Sequence, residues 1–320
     1  MKITKLKGGS LSLTSLYEDG NKKFVRKTIN TLENREYGYV RWYSQLKKLQ
    51  RYSSLGVYPS VLNIGYEENL AYFDIEYMEG FIDIKTILNY DNLSENSIQK
   101  IHNAMINTFS KLHEIKIHPI SNVSKLYYKE EIIQKINDSL SNEDFSHFFK
   151  NNKFKYNNII VYGIENYLDN LQTFFKNLEL ETEEIIHGNP TLENMMYSFE
   201  EDRVVFIDPY EESIIDSKFL DYSQVMQCSR SYYGFYNDRP DSIKIDGTLV
   251  SNILDPPINF KVFNKIFESY IFSSKENKKI IDILEATQFI RMLPFKCLSN
   301  NIDQAKFFYV HACYLLDKLL

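Results

Sequence analysis

Two stretches decide how this chain folds: Ile185-Ile186-His187-Gly188-Asn189-Pro190-Thr191-Leu192-Glu193-Asn194-Met195-Met196, and the Val204-Val205-Phe206-Ile207-Asp208-Pro209 that follows. Apolar pairs bracket a loop of His, Gly, Asn and Pro, and a second apolar run ends abruptly in a carboxylate. The pattern predicts strand, tight polar loop, strand, turn, strand and acid, in which a rigid scaffold presents polar groups at one edge. That edge is the candidate active site.

Upstream, residues 1–29 read as a small antiparallel sheet. Ile3 to Leu6 is a strand, Gly8-Gly9-Ser10 breaks it, and Leu11 to Tyr17 resumes. Asp19-Gly20-Asn21 is a hairpin turn ahead of Phe24-Val25-Arg26-Lys27. Two-residue alternation puts Val25 and Lys27 on one face and Arg26 on the other. From Leu32 to Tyr52 the period turns helical, with Tyr39, Val40, Tyr43, Leu46 and Leu49 on one stripe. Val61 to Ile64 and Leu70 to Tyr77 form a second hairpin around Glu67-Glu68-Asn69, leading into Glu76-Tyr77-Met78-Glu79-Gly80.

Beyond Gly80 helices dominate. Ile98 to Ile115 carries Ile101, Met105, Phe109 and Leu112 at helical spacing, and His113 near its end reads as a hydrogen-bonded core or boundary residue. Residues 116–155 read as a variable insertion, Ile159 to Leu178 as a helix, and Phe260 to Leu320 as closing helices.

The order of these pieces resembles the protein-kinase-like superfamily, in its aminoglycoside phosphotransferase and choline kinase branch. The pattern there is His-Gly-Asp, four residues, Asn, then a strand ending in Ile-Asp. The resemblance implies an α+β, two-lobed fold, with a small antiparallel-sheet N-lobe at 1–79 and a larger, mainly helical C-lobe at 80–320. In that template the first Asp receives the substrate hydroxyl proton, while the Asn and the second Asp hold magnesium on the nucleotide phosphates. Carried onto this chain, it implies Asn194 and Asp208 as metal ligands and His187 and Asn189 at the catalytic positions. It further implies Lys27 and the Ser10 loop on the phosphates, Glu36 in preference to Glu33 as the partner of Lys27, and Glu76, Tyr77 and Met78 as the hinge beside the base. Asp221, better than Asp216, matches an Asp that braces the loop. ATP or GTP with Mg2+, and a small molecule offering a hydroxyl, follow as cofactors and acceptor.

Asn189 departs from the pattern, because a neutral amide takes no proton at neutral pH. Three readings stand: a nucleotide-binding pseudokinase with a regulatory or scaffolding role, an active kinase using another base such as Glu193 or Glu211, and an Asp-to-Asn form that traps substrates. Retention of Asn194 and Asp208 favours a small-molecule kinase lineage with impaired turnover.

Composition narrows the rest. At 320 residues, 43% hydrophobic and 25% charged, the chain reads as an ordinary globular protein long enough for two lobes. A formal charge of -6 argues against a general nucleic-acid binder. Cys228, Cys297 and Cys313 make neither a disulfide framework nor a close metal-binding pair. The absence of a signal-like or bilayer-length apolar run leads to an expectation of cytoplasmic residence without a membrane span. No His pair stands at helical ligand spacing, and no Gly-x-Ser-x-Gly elbow is present. For the acceptor, an acidic pocket would suit a cationic aminoglycoside or choline, whereas Arg230 with Tyr232, Tyr233 and Tyr236 suits a sugar or sugar phosphate better. Those aromatics read equally as a sugar-stacking wall and as core packing.

Overall fold

The computed structural model describes residues 1–6, 12–20, 22–32, 38–115, 122–180, 185–210, 213–253, 255–272 and 274–320. The chain opens with strands β1 (Lys2–Lys5), β2 (Leu13–Asp19) and β3 (Lys22–Asn30), followed by helix α1 (Val40–Arg51). Strands β4 (Val61–Glu67), β5 (Leu70–Glu76) and β6 (Phe81–Asp83) precede helices α2 (Ile84–Leu88) and α3 (Glu95–His113). Next come α4 (Val123–Tyr127), a π-helical turn, α5 (Gln134–Ser139), α6 (Glu143–Phe149), the hairpin β7 (Lys153–Tyr156) and β8 (Ile159–Tyr162), and α7 (Leu168–Asn177). A second hairpin, β9 (Met195–Ser198) and β10 (Arg203–Phe206), is followed by α8 (Lys218–Ser229) and α9 (Tyr233–Asp238). The chain closes with β11 (Ile243–Asp246), β12 (Leu249–Asn252), α10 (Ile258–Ile271), α11 (Lys275–Leu298) and α12 (Ile302–Asp317).

These elements form two compact units, Met1–Ile115 with Ile185–Ser213, and Lys116–Glu184 with Ile214–Leu320. In the first, a five-stranded antiparallel sheet has the order β1-β2-β3-β5-β4, and a three-stranded sheet has the order β10-β9-β6. Lys27 lies opposite Phe73 and Arg26 opposite Asp74. Alternation therefore sends Arg26 to one face, where it grips Asp74 through two hydrogen bonds of 2.6 and 2.9 Å and lies 3.7 Å from the Tyr72 ring centroid. Lys27 and Ile29 are buried on the other face, as the alternation predicts.

The inward stripe of α1 differs from the expected one. Val40 and Tyr43 are 48% and 41% exposed, whereas Trp42, Leu46, Lys48 and Leu49 are buried. Trp42 decides this rotation, because a buried indole requires both a large apolar seat and a partner for its N–H. It packs tilted against Phe73 and donates to the Lys27 carbonyl at 3.2 Å.

A second difference concerns Ile159 to Leu178, expected as one helix. The first part is strand β8, paired with β7, and the helix begins only at Leu168. Asn157 and Asn158 both have positive φ, 46° and 71°, as a two-residue hairpin turn requires, and Asn tolerates that region better than most residues. In the second unit α11 is buried almost all round between Ile280 and Ile290 and packs on α5, α8 and α12. Its interior polar groups are partnered: Thr287 by the Tyr127 hydroxyl at 2.7 Å, and Arg291 by Glu131 at 2.8 Å.

Truncating Trp42 to Ala should cost about 3–5 kcal/mol by denaturant unfolding followed by circular dichroism. Trp42→Phe keeps most of the packing but drops the N–H bond, and should cost only about 1–2 kcal/mol.

Candidate active site

The candidate catalytic, nucleotide-binding and metal-binding residues that lie among the described residues belong to the first unit, whereas Asp221 and Arg230 belong to the second. The β9–β10 hairpin is its base. Met195, Tyr197, Val204, Val205 and Phe206 are buried, and Phe206 packs on Phe109 of α3. His113 is buried too and stacks on Phe109, consistent with the core role expected of it.

The loop before β9 is tied to the end of β10 through its own backbone. The buried His187 ring accepts from the Asn189 N–H at Nδ1, 3.1 Å away. Its proton is therefore on Nε2, which donates to the Ile207 carbonyl at 2.9 Å. The Tyr210 N–H donates to the His187 carbonyl at 2.9 Å, and the Ile207 N–H to the Asn194 carbonyl at 2.9 Å. Asn194 donates from Nδ2 to the Asn189 carbonyl at 2.9 Å. That bond fixes the amide orientation and makes Oδ1 the remaining donor atom for a cation.

Gly188 is required where it stands. Its φ is +80°, and a Cβ there would lie 2.5 Å from the Tyr210 carbonyl oxygen. Asp208 takes a positive φ, 54°, which turns its carboxylate out of the strand direction. The Lys27 ammonium meets that carboxylate at 2.6 Å and the Gln45 Oε1 at 2.8 Å. Lys27 is 4% exposed, while the Asp208 side chain is 42% exposed. One end of the pair is thus anchored in the protein and the other is open to solvent.

Sequence reasoning missed the part α1 plays here. Trp42, Gln45 and Lys48 recur at helical spacing and reach the Lys27 carbonyl, the Lys27 ammonium and the Tyr210 carbonyl respectively, the last at 2.8 Å. A polar side chain one turn from a lone Trp on an otherwise apolar stripe was the available signal. Glu36 and Glu33 lie outside the described residues, as do the Gly8-Gly9-Ser10 loop, Asn21 and Glu211. Glu193 is ion-paired with Lys85 of α2.

The expected hinge follows β5. Glu76 donates its N–H to Ser60 at 2.9 Å, and the Met78 carbonyl accepts from Phe81 at 3.2 Å. Among the described residues none accepts from the Met78 N–H. Likewise none hydrogen-bonds the Asn189 side-chain amide. Among the described residues no group of three or more His, Cys, Asp or Glu side chains is placed to hold a metal. One Asp and one Asn oxygen still suit Mg2+, which keeps several waters and takes further oxygens from phosphate.

In the second unit Arg230 is committed to acids. It hydrogen-bonds Asp282 at 2.6 Å and pairs with Glu285, both buried, and Ser231 donates to Glu285 at 2.6 Å. Burial opposes the Arg230 charge, but the two carboxylates overcome it and raise its pKa further. Phe235 packs on Phe260 and Tyr236 on Phe307, which makes these two rings core rather than a sugar-stacking wall.

Replacing Gly188 by Ala should destabilise the protein by about 3 kcal/mol in urea titrations, from left-handed backbone strain plus the contact with Tyr210. Gly247→Ala, at φ +55° with nothing within 4 Å of the added Cβ, should cost about 1 kcal/mol.

No protein-family model matches the chain, and no curated protein sequence matches it. Solved structures do match. A provisionally named fructosamine-3-kinase from Haemophilus somnus 129PT superposes with a TM-score of 0.56 at 14% identity, covering 100% of this chain and 91% of that one. Spectinomycin phosphotransferase APH(9)-Ia, solved with ADP and spectinomycin, gives 0.46 at 10% identity, covering 99% and 93%. The first likeness is one of fold, and it agrees with an antiparallel sheet followed by a mainly helical remainder. The chain shares its fold with that first structure, as the expectation of an α+β chain with an N-terminal antiparallel sheet and a mainly helical remainder required.

Proposed function

We propose that this chain is a phosphotransferase of the small-molecule kinase type that uses ATP or GTP with Mg2+, acts on a hydroxyl acceptor, and turns over slowly because Asn189 stands at the base position. The observation that carries this is the 2.6 Å meeting of Lys27 with Asp208 beside an Asn194 amide whose oxygen is left open. In this proposal residues 1–79 supply the nucleotide-binding sheet, and residues 80–320 supply the loop, the metal ligands and the acceptor site. Its setting is the cytoplasm.

The residues divide the task by chemistry. Lys27 is a buried point charge suited to phosphate oxygens, and the Ser10 loop would cover them. The Met78 N–H and the backbone of Glu76 and Tyr77 offer the base an edge, and Glu36 remains a candidate second partner of Lys27. Asn194 and Asp208 would hold magnesium, which neutralises charge on the transferring phosphoryl group. His187, buried with both ring nitrogens on backbone groups, positions the loop rather than touching substrate. Asn189 can accept a hydrogen bond from the acceptor hydroxyl but cannot take its proton.

The acceptor we favour is a sugar without phosphate. Arg230 already has two carboxylate partners, so it is a poor receiver of a further anion. The nucleotide-binding pseudokinase is the second reading, and the observation favouring it is Asn189 itself.

Mg2+ with ATP or GTP should raise Tm, corresponding to about 2.7 kcal/mol at a hundredfold excess over Kd. Asp208→Ala should abolish the metal-dependent part, and Lys27→Ala should weaken nucleotide affinity in calorimetry without unfolding the chain; an unchanged nucleotide response in both variants would refute the site.

Asn189→Asp should raise acceptor-dependent release of nucleoside diphosphate by about 10²-fold or more across a panel of sugars, sugar phosphates and amino alcohols. Equal and substantial turnover by both proteins would assign the base to another group. Tight nucleotide binding without turnover in either protein would favour the pseudokinase.

A further inference from the structure

The Lys27 ammonium touches two oxygens among the described residues, and one of them is uncharged. Gln45 presents Oε1 to Lys27 at 2.8 Å and donates from Nε2 to the Pro209 carbonyl at 3.2 Å. The two partners leave no choice of amide orientation, since an ammonium only donates and a carbonyl only accepts. A carboxylate at this position would satisfy the first contact and fail the second. It would set an anionic oxygen against the Pro209 carbonyl.

Pro209 follows Asp208, whose left-handed backbone, φ 54°, costs about 1–2 kcal/mol when nothing supports it. Support comes from the next two peptides. Gln45 holds the Pro209 carbonyl and Lys48, one turn on, holds the Tyr210 carbonyl at 2.8 Å. Tyr210 in turn donates its N–H to His187 and sets its carbonyl where any Cβ on Gly188 would strike it. One stripe of α1 therefore reaches Lys27 on one side and the Asp208–Pro209 peptide on the other.

We infer that Gln45 is a positioning residue of the proposed nucleotide site, a two-ended amide that sets Lys27 for phosphate and the Asp208–Pro209 peptide for metal. This rests on the nucleotide reading above and adds to it a specific chemical requirement: both an acceptor and a donor on one side chain. Its two ends act on two separable quantities. The acceptor end governs affinity for the nucleotide without metal, through Lys27. The donor end governs the gain in affinity that metal brings, through Asp208.

Calorimetric titration with ADP, in chelator and in excess Mg2+, separates these quantities for the wild-type chain, Gln45→Glu and Gln45→Met. Gln45→Glu keeps the acceptor and loses the donor. Its metal-free affinity should stay within about threefold of wild type while the metal-dependent gain falls about tenfold, the size of one hydrogen bond lost beside a new repulsion. Gln45→Met loses both ends, and both quantities should fall, each by about threefold or more. Thermal unfolding of each variant without ligand accompanies the titrations. A full metal-dependent gain in Gln45→Glu would reduce Gln45 to a simple acceptor for Lys27 and overturn the inference. An equal loss of both quantities in the two variants, in step with a lowered Tm, would mark a merely structural role and overturn it as well. A wild-type chain that binds ADP no better with Mg2+ would instead remove the nucleotide reading, and this inference with it.

Discussion

An ammonium and a carboxylate separated by 181 positions in the sequence meet at 2.6 Å, and the first unit is arranged so that they can. A charge as buried as that of Lys27 is costly unless paired, since removing an ammonium from water costs several kcal/mol even after relaxation. Asp208 supplies the opposing charge from the end of a different sheet. The pair then constrains both neighbourhoods. The five-stranded sheet must present β3 with Lys27 inward, and β10 must end where Asp208 can turn back toward it. Because the Asp208 side chain is 42% exposed, the attraction is moderated by solvent at that end.

Several hydrogen bonds to backbone groups hold the loop that carries Asn189. His187 and Asn194 bond through their side chains to carbonyl and N–H groups of the same loop and of Ile207, and Gly188 leaves room for the Tyr210 carbonyl. Such a knit fixes position while leaving the chemistry at residue 189 open to change. Exchanging carboxylate for amide there alters proton affinity with almost no change in shape. Under the proposed phosphotransferase reading, binding and turnover are therefore separable, because alignment and metal charge contribute most to phosphoryl transfer and the base contributes a further factor.

The second unit solves a different problem. Its central helix α11 is surrounded on most sides, so carboxylates at Asp282 and Glu285 can stay buried only with partners. Arg230 and Ser231, at the end of α8 and just after it, provide them. Removing either partner of such a cluster would leave an uncompensated charge, which ties the α8–α11 packing to this one guanidinium.

Local sequence determined much of the first unit. Alternation set which side of β3 carries Lys27 and which carries Arg26, because the strand period leaves a side chain only two directions. Turn residues placed the first and second hairpins, and the apolar run ending in Asp208 placed the site at a strand end. The Asn157-Asn158 turn was also legible, and the expectation of a helix from Ile159 passed over it by weighting apolar periodicity above turn chemistry. Only the tertiary structure decided the rest. Periodicity alone favoured Tyr39, Val40 and Tyr43 on the inward stripe of α1, while packing chose Trp42, which needed both the Phe73 surface and a carbonyl for its N–H. The partnership of Gln45 with Lys27 and Pro209 joins three distant segments, and no local rule predicts where an amide finds one donor and one acceptor at once. Arg230 seemed available to an anion in one dimension and is occupied in three, since the carboxylates that hold it come from a helix more than fifty residues further along the chain.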